Sequence, residues 1–406
     1  MRKLFTLQFF AVVLLFPLLC FTQVTTPPSL RLLPAEEEEY HQIETNINAK
    51  DLAAFRTSRG LKLSTIPKKM SYDNQELAPE TMKLRGKTSL KFRRKSYRVE
   101  LSAPFTFNTA QGQKALKNFH LLSLTMDRGY FGNRLAFACL RETGVANLYH
   151  SYLELKINGQ SEGLYCFIQR PEDYALEDLG SPYVLRRSAV DFVIADYKLA
   201  KGQAPELKTQ ADEAYQAMIR AANDLEGEAQ FEYLRTHLDL DAYCSWLALN
   251  TWFQNGDYTD EVLFYVQPGK TPTRFGIIPW DFDDVFATSP HEDWPRRNAA
   301  LGEKLLFSSE VSLDRCIANN PLLYRFYLQK MKALLEALPE AKLRELFSTI
   351  YAEIHPYFKR TPILEMTQYD RQKTTSLTRL ESQMNESFQF LVKRRGNLLK
   401  MMEGKE

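Results

Sequence analysis

The segment Asn250–Phe286, NTWFQNGDYTDEVLFYVQPGKTPTRFGIIPWDFDDVF, constrains this chain most, because it places six carboxylates at the two ends of one expected β-hairpin. Val262–Val266 and Phe275–Trp280 are apolar, aromatic-rich runs, and the link between them carries Pro268, Gly269 and Pro272, which are turn residues. Antiparallel pairing brings Asp257, Asp260 and Glu261 beside Asp281, Asp283 and Asp284 at a single mouth. Side chains alternate along a strand, so Asp281 and Asp283 are expected on one face and Trp280 and Phe282 on the other. Together with Trp252, those two aromatics are expected to form the core behind the mouth.

Carboxylates packed this closely repel one another unless a cation neutralises them, and an oxygen-only ligand set suits Mg²⁺, Mn²⁺ or Ca²⁺. Two plainer readings compete with a catalytic metal site: a solvated hairpin rim and a structural Ca²⁺ site. The order of carboxylate, hairpin and Asp-x-Asp is also the layout used in phosphoryl transfer.

A chain of 406 residues can bury a large core and is expected to form two lobes. A net charge of +2 argues against a dedicated nucleic-acid partner, although residues 83–98 concentrate eight Lys or Arg. The N-terminus has Arg2 and Lys3 ahead of an apolar run from Leu4 to Phe21, the pattern of a secretory signal peptide over residues 1–22 cleaved before Gln23. Pro17 interrupts the run, so no stable membrane span is expected after cleavage, and the mature chain is placed outside the cytoplasm. Lipid attachment at Cys20 is disfavoured by the bulk of Leu18 and Leu19. Cys139, Cys166, Cys244 and Cys316 have no metal-site spacing. Three disulfide pairings are open to them, but their apolar surroundings favour buried free thiols.

Residues 23–45, with Pro27, Pro28, Pro34 and the run Glu36–Glu39, read as an extended lead-in. Strand patterns and an amphipathic helix over 127–143 make 46–190 a mixed α+β N-lobe, with a hairpin turned at Asn158 and Gly159. Helical periodicity over 209–225, 239–254, 321–338, 341–358 and 377–402 makes 191–406 a mostly helical C-lobe. It contains the acidic hairpin, 257–284. Residues 288–320 read as polar and irregular.

The run LRGKTSLKFRRKSYRVEL (Leu84–Leu101), EGLYCFIQ (Glu162–Gln169), the NGD at Asn255–Asp257 and IPWDFD (Ile278–Asp283) resemble the CotH family of spore-coat-type protein kinases. The stretch Asp127–Asn133 and the late FLVKRRGNLL are similar too. The resemblance implies a two-lobed atypical protein-kinase-like fold of α+β class, with ATP and Mg²⁺ or Mn²⁺ as cofactors. It further implies transfer of the γ-phosphoryl group to Ser or Thr of secreted or surface proteins. Carried over residue by residue, Asp257 is the catalytic Asp, and Asp281 with its helper Asp283 holds the metal. Lys95 pairs the phosphates with Arg85 beside it, and Gly86 lets the backbone approach them.

Two positions depart from the family pattern. Gln169, in the cofactor site, stands where an acidic partner for the Lys is usual, with Glu172 or Asp173 as substitutes, and Glu261 stands where a metal-binding Asn is usual and, as a carboxylate, can still ligate the metal with Asp281 and Asp283. These departures keep a second reading open, a non-catalytic coat or adhesive module that retains the fold. A third, a DxD-type glycosyltransferase, accounts for Asp281 and Asp283 but not for the segment around Lys95.

Overall fold

A computed structural model describes residues 30–127, 129–287, 304–307, 309–369 and 375–403. The expected signal peptide lies outside the described residues. The fold is mixed α+β. A nine-stranded sheet takes the order β2-β5-β6-β7-β9-β8-β1-β3-β4. Its strands are β1 (Gln42–Asn46), β2 (Ser64–Thr65), β3 (Lys69–Tyr72), β4 (Gln75–Leu77), β5 (Pro79–Arg85), β6 (Ser96–Thr109), β7 (Gly112–Leu122), β8 (His150–Ile157) and β9 (Gln160–Gln169). A second sheet has β10 (Tyr183–Arg187), β11 (Ile194–Leu199), β12 (Val262–Val266) and β13 (Phe275–Pro279), in the order β11-β10-β12-β13.

Alternation along the central strands gives the large sheet two unlike faces. Leu84, Tyr97, Val99, Phe119, Leu121 and Phe167 lie on one face, in a core that also takes Phe55 from the helix Ala49–Thr57. Leu122, Cys166 and Ile168 lie on the other and join a larger core built from the helices and the second sheet. Burying such apolar faces is worth about 25 cal/mol per Å², which is what orients the sheet. Lys83, Arg98 and His120 share that second face in one cross-strand row, and the row Arg85, Ser96, Leu122 lies beside it. Polar residues on this part of the face keep it open as a cleft floor.

The helix Gly132–Glu142 begins where the Asp127 carboxylate gathers backbone donors. Oδ1 accepts from Gly129 and Gly132 N, both at 3.2 Å, and Oδ2 from Asn133 N at 2.9 Å. Such capping contributes about 1 kcal/mol. The expected hairpin turn is present, with Asn158 and Gly159 at φ of 52° and 77°, as a tight two-residue loop requires. Deep in the helical core, Trp252 is fully buried and donates Nε1–H to Leu391 O at 3.0 Å. Truncating it to Ala would cost about 3–5 kcal/mol. All four described cysteines are buried free thiols.

Three features were not legible as expected. Strand β1 is drawn largely from the lead-in and pairs in parallel with β8 and antiparallel with β3. Strand β10, assigned to the N-lobe by the boundary at residue 190, pairs instead with β12 of the acidic hairpin. Helix Ser312–Asn319 occupies the end of the stretch expected to be irregular.

Candidate active site

The expected hairpin forms. Val262 pairs with Pro279 and Val266 with Phe275, and Trp280 N donates to Glu261 O at 2.9 Å to close the mouth. Strand geometry stops at Pro279, because Asp281 adopts a left-handed φ of 43°. Trp280 and Phe282 are nevertheless buried at 3 % and 1 % exposure, while Asp281 and Asp283 line an open cleft. The segment after the hairpin is tied to the loop before it: Gly256 N donates to Asp284 O at 3.0 Å, and Phe286 N to Phe253 O at 2.8 Å. Gly256 is required by this approach, since a Cβ there would fall 2.1 Å from Asp284 Oδ2. Asn255 locks the loop from inside, donating Nδ2–H to Asn250 Oδ1 at 3.0 Å and accepting from Asp257 N at 3.4 Å.

The cleft, about 620 Å³, runs between the polar face of the large sheet and this mouth. One wall carries Asp257, Asp260, Glu261, Asp281 and Asp283, and the other carries Lys62, Lys83, Arg85, Lys87 and Arg98. Burial raises the pKa of Asp283 well above the usual carboxylate range, reinforced by Asp281, Asp127, Glu261 and Asp257. Burial likewise raises Asp281, against the pull of Arg85 and Arg186. Glu261 is pushed up to about 8 by burial and by Asp281, with Arg186 opposing. The physical cause is common to all three: burial at this end of the cleft disfavours the charged form of each carboxyl.

Arg85 carries the opposite imbalance. Its guanidinium makes no hydrogen bond or ion pair with any described residue and rests over the Trp280 ring, 5.3 Å from the centroid. Burial lowers its pKa, while Asp281, Glu261 and Glu172 counteract. The loop that follows turns tightly at Gly86, at φ 99°, where a Cβ would meet Ser89 Oγ at 1.9 Å. Residues 84–89 all line the cleft, and Lys87 reaches across to Asp260 at 3.7 Å.

Lys95 and Gln169 are not brought to this site. Lys95 is fully buried and its ammonium donates to the backbone carbonyls of Ser58 and Leu90, both at 2.7 Å, and of Phe92. The reason is parity: Ser96 and Arg98 face the cleft and Tyr97 faces the core, so Lys95 leaves the strand on the core side. Gln169 pairs across the sheet with Phe119, on that same core side, and its Nε2 donates to Asp178. Of its suggested substitutes, Glu172 lines the cleft, whereas Asp173 is taken by Lys198 at 2.5 Å. Glu261 is in the cleft, accepting from Arg186 Nη2 at 2.5 Å.

Residues that sequence reasoning did not assign also appear here. Arg186 pins the hairpin mouth, bonding Asp260 O at 3.0 Å as well as Glu261. Asn133 lines the cleft and accepts from Phe282 N at 3.4 Å. Asp127, the cap of the helix, adds its charge to that felt by Asp283. Period-two alternation in SYRVEL was the signal for Arg98; Arg186 had none, because its strand was placed with the other lobe.

Among the described residues no three His, Cys, Asp or Glu side chains are arranged to hold a metal ion unaided.

Comparison with known proteins places these residues in a family. Inner spore coat protein H of Bacillus subtilis (strain 168) is 27 % identical over 231 residues, which are 54 % of this chain and 62 % of that protein. The chain thus spans less than two thirds of that relative's length. The family described as CotH kinase protein matches residues 82–398, from the strand that carries Arg85, through the NGD loop and the acidic hairpin, into the last long helix. The chain belongs to the CotH kinase family.

Proposed function

We propose that this chain is an exported protein kinase that transfers the γ-phosphoryl group of ATP to Ser or Thr hydroxyls of secreted or surface proteins. The observation that carries this reading is the pairing, across one cleft, of a guanidinium with no hydrogen-bond partner among the described residues, Arg85, with a cluster of carboxyls whose charged form burial disfavours. A polyphosphate with a divalent cation supplies what both walls lack. Family membership supports the class of chemistry, and the coat location in the relative's name supports an extracytoplasmic setting.

In this reading Asp281 and Asp283 hold the cation. Glu261, already engaged by Arg186, shapes the field around them. Mg²⁺ or Mn²⁺, when bound, supplies positive charge against the phosphate oxygens. Arg85 takes the place first assigned to Lys95 and binds phosphate through its free donors, with the Gly86 loop closing over it. Asp257 sits on the loop locked by Asn255, placed to orient the acceptor hydroxyl and accept its proton.

The test separates binding from transfer. Asp281→Asn is expected to lose metal-dependent ATP binding and with it transfer. Asp257→Asn is expected to retain Mg²⁺ and ATP while the rate of transfer falls roughly 10²–10⁴-fold. Labelled ATP with Mg²⁺ or Mn²⁺ and an autophosphorylation readout measures both; wild-type behaviour in both variants removes the kinase reading. The relative's coat-protein name favours a second reading, a coat or adhesive module that keeps the fold without transfer. A wild-type chain that binds metal and ATP but never transfers would establish it.

A further inference from the structure

Two successive arginines on β10 hold the loop that carries Asp257, and they hold it from opposite sides. Arg186, which lines the cleft, donates Nε–H to Asp260 O at 3.0 Å, and Arg187, in the core, donates Nε–H to Thr259 O at 2.7 Å. Neighbouring side chains on a strand point to opposite faces, so one dipeptide grips two consecutive carbonyls of one loop.

Arg187 is the deeper of the two, at 2 % exposure, with its guanidinium over the Trp246 ring at 5.3 Å from the centroid. Its Nη1 enters a buried network. That nitrogen donates to the Tyr243 hydroxyl at 2.6 Å, and Tyr243 in turn donates to Asp314 Oδ1 at 2.5 Å. Arg187 Nη1 also lies 3.6 Å from the same carboxylate oxygen. Tyr243 and Asp314 come from the helices Leu240–Phe253 and Ser312–Asn319, and both are fully buried.

A buried ion pair of this kind is weak evidence for stability, because taking two charges out of water costs about as much as their attraction returns. Apolar side chains of similar volume would fill the same space. They could not hold a carbonyl two residues from Asp257 in one position. Before Asp257 the loop is fixed by Asn255, bonded to Asn250, and by Gly256, bonded to Asp284 O. After it, Thr259 Oγ1 donates to Glu310 at 2.7 Å, but a bond to a rotatable side chain does not orient the peptide plane. Arg187 does.

We infer that Arg187, oriented by Tyr243 and Asp314, is a positioning residue for phosphoryl transfer, setting the backbone after Asp257 so that its carboxylate meets the acceptor hydroxyl. This rests on the kinase reading above and adds the buried device that aims the base.

The test compares the mature wild type with a double variant, Arg187→Met with Asp314→Leu, and with Tyr243→Phe. Removing both charges together should leave the melting temperature of the double variant at or above that of the wild type. Hydrogen exchange over residues 255–261 should accelerate, because the loop has lost an anchor while the rest of the chain has not. With ATP and Mg²⁺, kcat for autophosphorylation should fall about 10²-fold, the scale of a displaced catalytic group, while KM for ATP stays at the wild-type value. Tyr243→Phe removes only the orienting hydroxyl and should lose roughly tenfold in kcat, so it carries the test if the double variant does not fold. Folded variants with wild-type kcat overturn the inference and leave the kinase reading standing. A loss of activity that tracks the loss of folded protein, with kcat per folded molecule unchanged, also overturns it and makes Arg187 structural. A wild type that never transfers overturns both.

Discussion

Arg85 and Lys95 come from one basic run, ten residues apart, and the fold treats them in opposite ways. Lys95 is fully buried, with its charge spread over three backbone carbonyls. Arg94 beside it is equally buried, donating to Glu162 O at 2.8 Å and Thr367 O at 2.9 Å. Arg85 is only partly buried, holds no such partner among the described residues, and faces a carboxylate cluster across open space. The lesson is that a cation fully satisfied by its own chain is structural, whereas one left unsatisfied at the edge of a cleft is available to a ligand. Density of Lys and Arg in the sequence cannot make that distinction; hydrogen-bond satisfaction can.

The largest effect expected from this contrast is on Lys95. Lys95→Met should destabilise the fold by on the order of 3 kcal/mol, since it strips a charged donor from two buried carbonyls and a part-buried one. Chemical denaturation measures this directly. A variant as stable as the wild type would show that Lys95 is not a strut and would return it to the list of ligand-binding residues. Arg85→Met should behave in the reverse way. Its unfolding free energy should stay within about 0.5 kcal/mol of wild type, as for a residue without satisfied contacts. Affinity for ATP should fall by roughly 10- to 100-fold, corresponding to the loss of charge-assisted hydrogen bonds. An Arg85→Met protein that unfolds early but binds ATP normally would erase the distinction between the two cations.

The hairpin was legible because its signals are local: two apolar runs, turn residues between them, and carboxylates at matching ends. The register follows from that pattern, and so does the convergence of Asp257, Glu261, Asp281 and Asp283. Lys95 was misplaced although the information was present. In Ser96, Tyr97, Arg98, Val99, Glu100 the apolar residues alternate with polar ones, so Lys95 shares parity with Tyr97 and Val99 and belongs to the core side. The same count selects Arg98, and in the neighbouring strand it selects His120 over Phe119 and Leu121. Arg186 was beyond such reasoning. Its role depends on β10 pairing with β12 across more than seventy residues of chain, a long-range choice that no local period encodes.

The smallest expected effect lies on the acidic side, where protons and cations compete. Glu261 is held at about 8 in the folded chain against 4.5 as the ordinary value, so the folded state binds more protons than the unfolded state between those limits. For a carboxyl with a raised pKa the sign is fixed: its contribution to the stability of the metal-free protein is fully present below the ordinary value and is lost as pH rises through that window. A divalent cation held beside Glu261 favours its ionised form, so cation binding strengthens as pH rises. For a single group at about 8, affinity should increase roughly fivefold from pH 7 to pH 8, before the dependence levels off. Mg²⁺ titrations of wild type and Glu261→Gln across this range measure it, and the variant should show a flatter profile. A wild-type affinity that does not change with pH would mean that the carboxylates are already ionised in the free protein. The mouth would then be balanced without a cation, and the contrast between a satisfied Lys95 and an unsatisfied cleft would rest on Arg85 alone.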